Sequence, residues 1–162
     1  MKVLKILSHD EFEVEGELAV GDLICCSDIL AIVTSIYQEG SEYSEYIDRL
    51  ESDDIKKFLP DLIEGKRVAR CMALCTTSLD DVVSLPEVGI RVDRIENEKL
   101  RELHLKNGEL KIPYLIKLLK TSNIDVAKRL VLRLIDSIPE EKDLLEIILA
   151  EIEYNRMKGV EL

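Results

Sequence analysis

The chain has 162 residues, 46% of them hydrophobic, which suits one ordinary folded domain or a small domain with a helical appendage. Its apolar runs are too short to cross a membrane, and its N-terminus is typical of a first strand and not of a signal peptide, so we expect a cytoplasmic protein. The net charge is −11, and residues 1–111 carry 14 Lys/Arg against 24 Asp/Glu. Nucleic-acid binding requires Lys and Arg to neutralise phosphates, so this charge argues against direct DNA binding. The 34% of charged residues, rich in Glu and Lys, also suits a thermophilic source.

Four strands are predicted before residue 38. Residues 2–7 and 11–15 alternate apolar and polar side chains, which is the period of a strand with one buried face. Residues 22–26 and 30–37 follow, joined by a short Ser-Asp turn that favours a tight hairpin.

Two long strands differ in the side chains on their faces, and only the first, at residues 30–37, is expected to be covered on each side, because both of its faces are largely apolar. The first has one face made of Ile32, Thr34 and Ile36, and another made of Ile29, Ala31, Val33 and Ser35. The second covers residues 67–76 and has a face of small residues, namely Ala69, Cys71, Ala73 and Cys75. A face of small residues favours close packing, as where a barrel wall tapers.

An acidic stretch separates these two strands and is predicted to be a helical insertion, at about residues 42–64. After the second strand comes a turn at residues 85–89 and a last strand at residues 90–95. Asn97 is predicted to cap a short helix, and Asn107-Gly108 to end that unit as a turn.

The remainder of the chain, residues 112–162, is predicted to be helical, with about three helices. Pro113 suits a first helical turn, and the segment Thr121-Ser122-Asn123 breaks that helix. A new helix is predicted from Pro139, because proline and acidic residues favour a helix start. Apolar residues cover more than half of this final helix, so it must bury itself on the barrel, on neighbouring helices or on a partner. The fold class is therefore α+β, with a barrel over residues 1–111.

The residue patterns of common active sites are missing from the sequence. Neither a phosphate-binding G-x-x-x-x-G-K-[ST] loop nor a G-x-G-x-x-G motif is present. His9 and His104 have no nucleophile at a favourable spacing, so both are interpreted as structural or exposed. We therefore expect no enzymatic activity and no cofactor.

Four cysteines leave three interpretations open. They are Cys25, Cys26, Cys71 and Cys75. Burial as small hydrophobic residues on strands is the favoured one, since free cysteine is among the most buried residue types. A metal site is less favoured because zinc knuckles use a tighter C-x-x-C spacing. A disulfide is plausible inside cells mainly in hyperthermophiles.

Five segments carry a resemblance to a known barrel. They are residues 18–24 (LAVGDLI), 31–36 (AIVTSI), 67–74 (RVARCMAL), 85–89 (LPEVG) and 100–103 (LREL). In this order they resemble the HerA–ATP synthase barrel, the N-terminal domain of archaeal HerA-type DNA-translocating ATPases. The resemblance covers about residues 1–105, with Ala31 where that family commonly has glycine. It implies a barrel that assembles rings and docks a nuclease partner, but the ATPase core does not follow here.

The resulting functional prediction is a non-catalytic interaction or assembly module. It would self-associate or bind a protein partner, in association with a DNA-processing translocase or nuclease. The candidate interaction residues are Arg91, Arg94, Arg101, Leu145, Ile148 and Ile152. The alternative is a small barrel that binds nucleic acid, although stacking aromatics and a positive field are both scarce. No membrane partner is expected.

Overall fold

The computed structural model describes residues 1–40, 65–121 and 124–159. Six strands form one antiparallel sheet, curled into a half-barrel, in the order β1-β2-β5-β4-β3-β6. The strands are β1 (Lys2–Ile6), β2 (Glu11–Glu15), β3 (Leu23–Cys26), β4 (Ile29–Glu39), β5 (Lys66–Thr76) and β6 (Val92–Arg94). The predicted α+β class is confirmed by this sheet and the helices that follow it. The predicted insertion at residues 42–64 lies outside the described residues.

The two edges of the curled sheet approach each other beside the predicted turn at residues 85–89. Val3 donates a backbone hydrogen bond to Ile90 at 2.9 Å and accepts one from Gly89 at 2.8 Å. Val92, the first residue of β6, donates to the carbonyl of Met1 at 3.0 Å. The segment before β6 therefore contacts edge strand β1, while β6 itself pairs with β3.

A first hydrophobic core fills the concave side of the sheet. Its buried residues are Val3, Phe12, Val14, Leu18, Ile24, Cys26, Ile29, Ala31, Val33, Ala69, Cys71, Ala73 and Val92. Three of the four small residues predicted to share one face of β5 line this side. They leave room for Phe12, which is fully buried.

Two register shifts between β4 and β5 change which side chains share a face. Val33 pairs with Cys71 and Ser35 with Arg70, so Thr34 is an extra residue that inverts the alternation. Ile36 consequently packs against the first core, not on the side of Ile32 as predicted.

The second shift lies near the other end of the same two strands. Leu30 pairs with Cys75 and Ala31 with Ala73, which leaves Leu74 as the extra residue. Leu74 and Cys75 both face the second core, so the predicted grouping of Cys75 with Ala73 is wrong.

Four helices follow β6 in the described residues: α1 (Asn97–His104), α2 (Leu115–Thr121), α3 (Ile124–Ser137) and α4 (Lys142–Lys158). A single 3-10 turn, Pro139–Glu141, leads into α4. Glu96, one residue earlier than predicted, occupies the N-cap position of α1, and no side chain caps that helix. A small hairpin of β7 (Leu105–Lys106) and β8 (Glu109–Leu110) was not predicted.

A second hydrophobic core joins the convex side of the sheet to the helices. Sheet residues such as Leu30, Ile32 and Met72 belong to the same buried cluster as Leu118, Leu130 and others of α2 and α3. The prediction that the strand at residues 30–37 is covered on both faces is confirmed for residues 30–33, whereas Ser35 and Tyr37 are exposed. The helical region packs on the sheet, and α4 packs chiefly on α3.

Asp22 joins the sheet to α3 through a nearly buried carboxylate. The side chain accepts hydrogen bonds from the backbone of Ala19 at 2.8 Å and from Arg94 at 3.0 Å. Arg133 of α3 places Nη1 3.9 Å from the same carboxylate and donates from Nη2 to the carbonyl of Ile95. The Asp22 carboxylate thus contacts the turn before β3, strand β6 and helix α3.

Candidate functional site

The three arginines among the candidate interaction residues are already paired within the chain. Arg91 lies 3.0 Å from Asp93, and Arg94 lies 3.0 Å from Asp22. Arg101 of α1 contacts Glu140 in the turn before α4. An external carboxylate would have to displace these intramolecular ones, so the arginines do not form a free positive patch.

Two of the three predicted apolar contact residues lie in the core. Leu145 is 0% exposed and Ile152 is 2% exposed, because both point from α4 towards α3. Ile148 lies beside them and is half-buried. The neighbouring helix therefore covers this side of α4, and we correct the prediction that Leu145 and Ile152 offer a surface to another molecule.

The opposite side of α4 carries a different set of apolar residues, which we call the α4 face: Leu144, Ile147, Tyr154 and Met157. Their spacing of three, seven and three residues keeps them on one side of the helix. Ile147 is 66% exposed and Met157 is 88% exposed. Sequence reasoning missed these residues because a stripe wider than half the helix does not reveal which part is buried.

Ion pairs with α3 hold α4 in place at its C-terminal half. Lys128 lies 2.6 Å from Glu153, and Asp125 lies 2.6 Å from Arg156. Lys158 lies over the ring of Tyr154, 4.6 Å from its centroid. The α4 face is consequently presented on a rigid helix whose inner side is packed.

His104 and Tyr114 form a buried polar pair close to this helical layer. His104 Nδ1 donates to the carbonyl of Leu100 at 2.8 Å, so Nε2 accepts from the Tyr114 hydroxyl at 2.5 Å. Burial lowers the pKa of His104 and raises that of Tyr114, which keeps both side chains neutral. Both have their hydrogen bonds satisfied, so this pair stabilises the packing of α1 on the segment before α2.

All four cysteines are free thiols. Cys26, Cys71 and Cys75 are buried, which confirms the favoured interpretation for these three, and burial raises the pKa of Cys26 and of Cys75 to about 12. Cys25 is half-buried and donates from Sγ to the carbonyl of Ser27 at 3.3 Å. Across the described parts of the chain, no three His, Cys, Asp or Glu side chains cluster as metal ligands would.

Comparison with models of protein families and with curated proteins gave no match for this chain. Among the helices that the structure describes, none has the length and apolarity needed to span a membrane. The functional argument therefore depends on the surface itself.

Proposed function

We propose that the chain is a non-catalytic protein-interaction or assembly module, with the α4 face as its contact surface. The observation that carries this proposal is the exposure of Ile147 and Met157 on a helix already anchored on its other side. Large apolar side chains grouped on one exposed face mark interaction sites more often than single exposed residues do.

Rigidity of the helix supports this surface as a contact site. Leu145 and Ile152 fix α4 in the core, and two ion pairs fix its C-terminal half to α3. Binding would therefore immobilise a few side chains and not a whole helix, which lowers the entropy cost of association. Tyr154 adds a rigid aromatic ring of the kind that dominates binding energy at interfaces.

The class of partner is proposed from the resemblance to the HerA–ATP synthase barrel. A translocase or nuclease that acts on DNA would be the binding partner, and a closed barrel of that family would be the fold of residues 1–111. The two turns that carry the resemblance support this, because Gly21 and Gly89 both have positive φ values, of 89° and 88°. A Cβ atom at residue 21 would also lie 2.9 Å from Cβ of Arg129.

The test compares a tagged chain with a variant, Ile147→Glu/Tyr154→Glu, after cross-linking in the native cell. Both substitutions add charge to exposed positions of a helix, so folding should be unaffected. Val83→Glu is the matched control, since Val83 is 99% exposed but lies in a loop after β5.

We expect a DNA-processing partner to be recovered with the unchanged chain and the control, and to be lost with the double variant. In calorimetry, the purified partner should then bind the unchanged chain and the control, and should not bind the double variant. Recovery of the same proteins by all three chains would overturn the proposed surface. A monomer in light scattering with no partner from the cell would overturn the proposed function.

A further inference from the structure

A cleft of about 750 Å³ lies between the turn after β5 and the β7–β8 hairpin, on a different part of the surface from the α4 face. This volume falls within the range of small-molecule sites in proteins. Residues from three separate segments line the cleft: Thr77 to Leu79, Lys106, and Lys111 to Pro113.

Backbone hydrogen bonds fix both walls of the cleft. Thr77 donates from its backbone to Asp28 at 2.7 Å, and Leu79 donates to Thr76 at 2.9 Å. On the other wall, Lys111 donates from its backbone to His104 at 2.8 Å. The backbone of these lining segments is therefore held in position before any ligand binds.

Four of the residues that line the cleft carry side-chain hydrogen-bond donors with no partner among the described residues: Thr77, Ser78, Lys106 and Lys111. Within the described residues, no carboxylate lies within ion-pair distance of the Lys106 or Lys111 ammonium. The hydroxyls of Thr77 and Ser78 likewise have no hydrogen-bond partner in that part of the chain.

The remaining lining is apolar. Leu79, Ile112 and Pro113 form it, and Leu79 and Ile112 also pack against the second core. Lysine binds phosphate as a point charge, and hydroxyls donate single hydrogen bonds to its oxygens. We infer that this cleft binds a phosphorylated small molecule, with its phosphoryl group at Lys106 and Lys111 and its organic part against the apolar lining.

The test is a titration followed by amide chemical shifts in nitrogen-15 spectra at constant ionic strength. Phenyl phosphate is the main probe, because it joins a phosphoryl group to an apolar ring. Phenol and inorganic phosphate each supply one half of it. We expect phenyl phosphate to bind more tightly than either, with shifts confined to residues 77–79 and 106–113.

A lysine variant and a matched control separate this site from general anion attraction. Lys106→Ala/Lys111→Ala should weaken phenyl phosphate binding by roughly tenfold or more, because charge-assisted contacts are lost. Lys5→Ala/Lys120→Ala removes two exposed lysines outside the cleft and should leave binding unchanged. Equal binding of phenol and phenyl phosphate, shifts spread over many surface lysines, or equal weakening in both variants would each overturn the inference.

Discussion

Asp22→Ala should destabilise the fold more than any surface charge substitution. The carboxylate is the acceptor for Ala19 and Arg94 and the counter-charge for Arg133. The Arg133 side chain is only 18% exposed, and its Nη1 atom is buried without a hydrogen-bond partner among the described residues. Removing Asp22 would leave that guanidinium without its only nearby carboxylate in the described structure.

The magnitude follows from this burial. Breaking a buried ion pair by removing one partner costs about 3–5 kcal/mol, since the remaining charge stays desolvated. The Arg94 pair adds little, because that side chain is 46% exposed and its charge is screened by solvent. For a chain of this length, we expect a fall in Tm on the order of 10 °C.

Urea unfolding followed by far-ultraviolet circular dichroism measures the change. Asp93→Ala is the matched control, because its pair with Arg91 is solvent-exposed and should cost about 1 kcal/mol or less. Asp22→Ala/Arg133→Met removes both charges and should recover most of the lost stability. A cost below about 1 kcal/mol for Asp22→Ala, or additive costs in the double variant, would refute the reasoning.

Three further predictions concern buried groups. Burial lowers the pKa of His104 in the folded state, so its contribution to stability is complete above the unfolded pKa, about 6.5, and is lost as pH falls below that value. His104→Gln should therefore reduce the dependence of the free energy of unfolding on pH between pH 7 and 5. An unchanged slope of this free energy against pH would contradict the prediction. Tyr114→Phe should cost about 1–3 kcal/mol in urea unfolding, because Nε2 of His104 loses its donor. A thiol reagent at pH 8 should modify Cys25 before Cys71, because Cys71 is buried and burial also raises its pKa. Modification of both residues at the same time in mass spectra would contradict that order.

Strand positions were predictable where one physical signal dominates. Residues 11–15 alternate without interruption, and β2 has those bounds in the structure. The turn at residues 85–89 was predictable because Pro86 and Gly89 are turn-forming residues, and Gly89 has a φ of 88°, which other residues rarely adopt.

The face of each side chain in the long strands was less predictable. A single inserted residue inverts the alternation, and Thr34 and Leu74 do so without any glycine to signal a bulge. The β7–β8 hairpin was missed because its strands have two residues each, too short for a periodic pattern. Only its turn was visible, where Asn107 and Gly108 have φ values of 54° and 76°.

The candidate sites depend on tertiary pairing, which local patterns do not contain. The sequence shows Arg94 and Lys106 as similar cations in acidic surroundings. Their difference arises because Arg94 contacts Asp22, which is 72 positions away in the chain, whereas Lys106 lines a cleft. In the same way, Leu145 and Ile147 are both large apolar residues, and only the position of α3 decides which one is buried.

The layered arrangement of the fold explains why the α4 face requires a functional interpretation. β4 and β5 have a core on each side, so the sheet needs α2 and α3 to cover its convex side. α4 is the outermost layer and packs chiefly on α3, for which one apolar side, that of Leu145 and Ile152, is sufficient. A polar outer side would satisfy the same packing and would remove the cost of exposing Ile147 and Met157 to water. Since the packing of α4 does not need these residues, their apolar character is the reason for proposing that this face contacts another molecule.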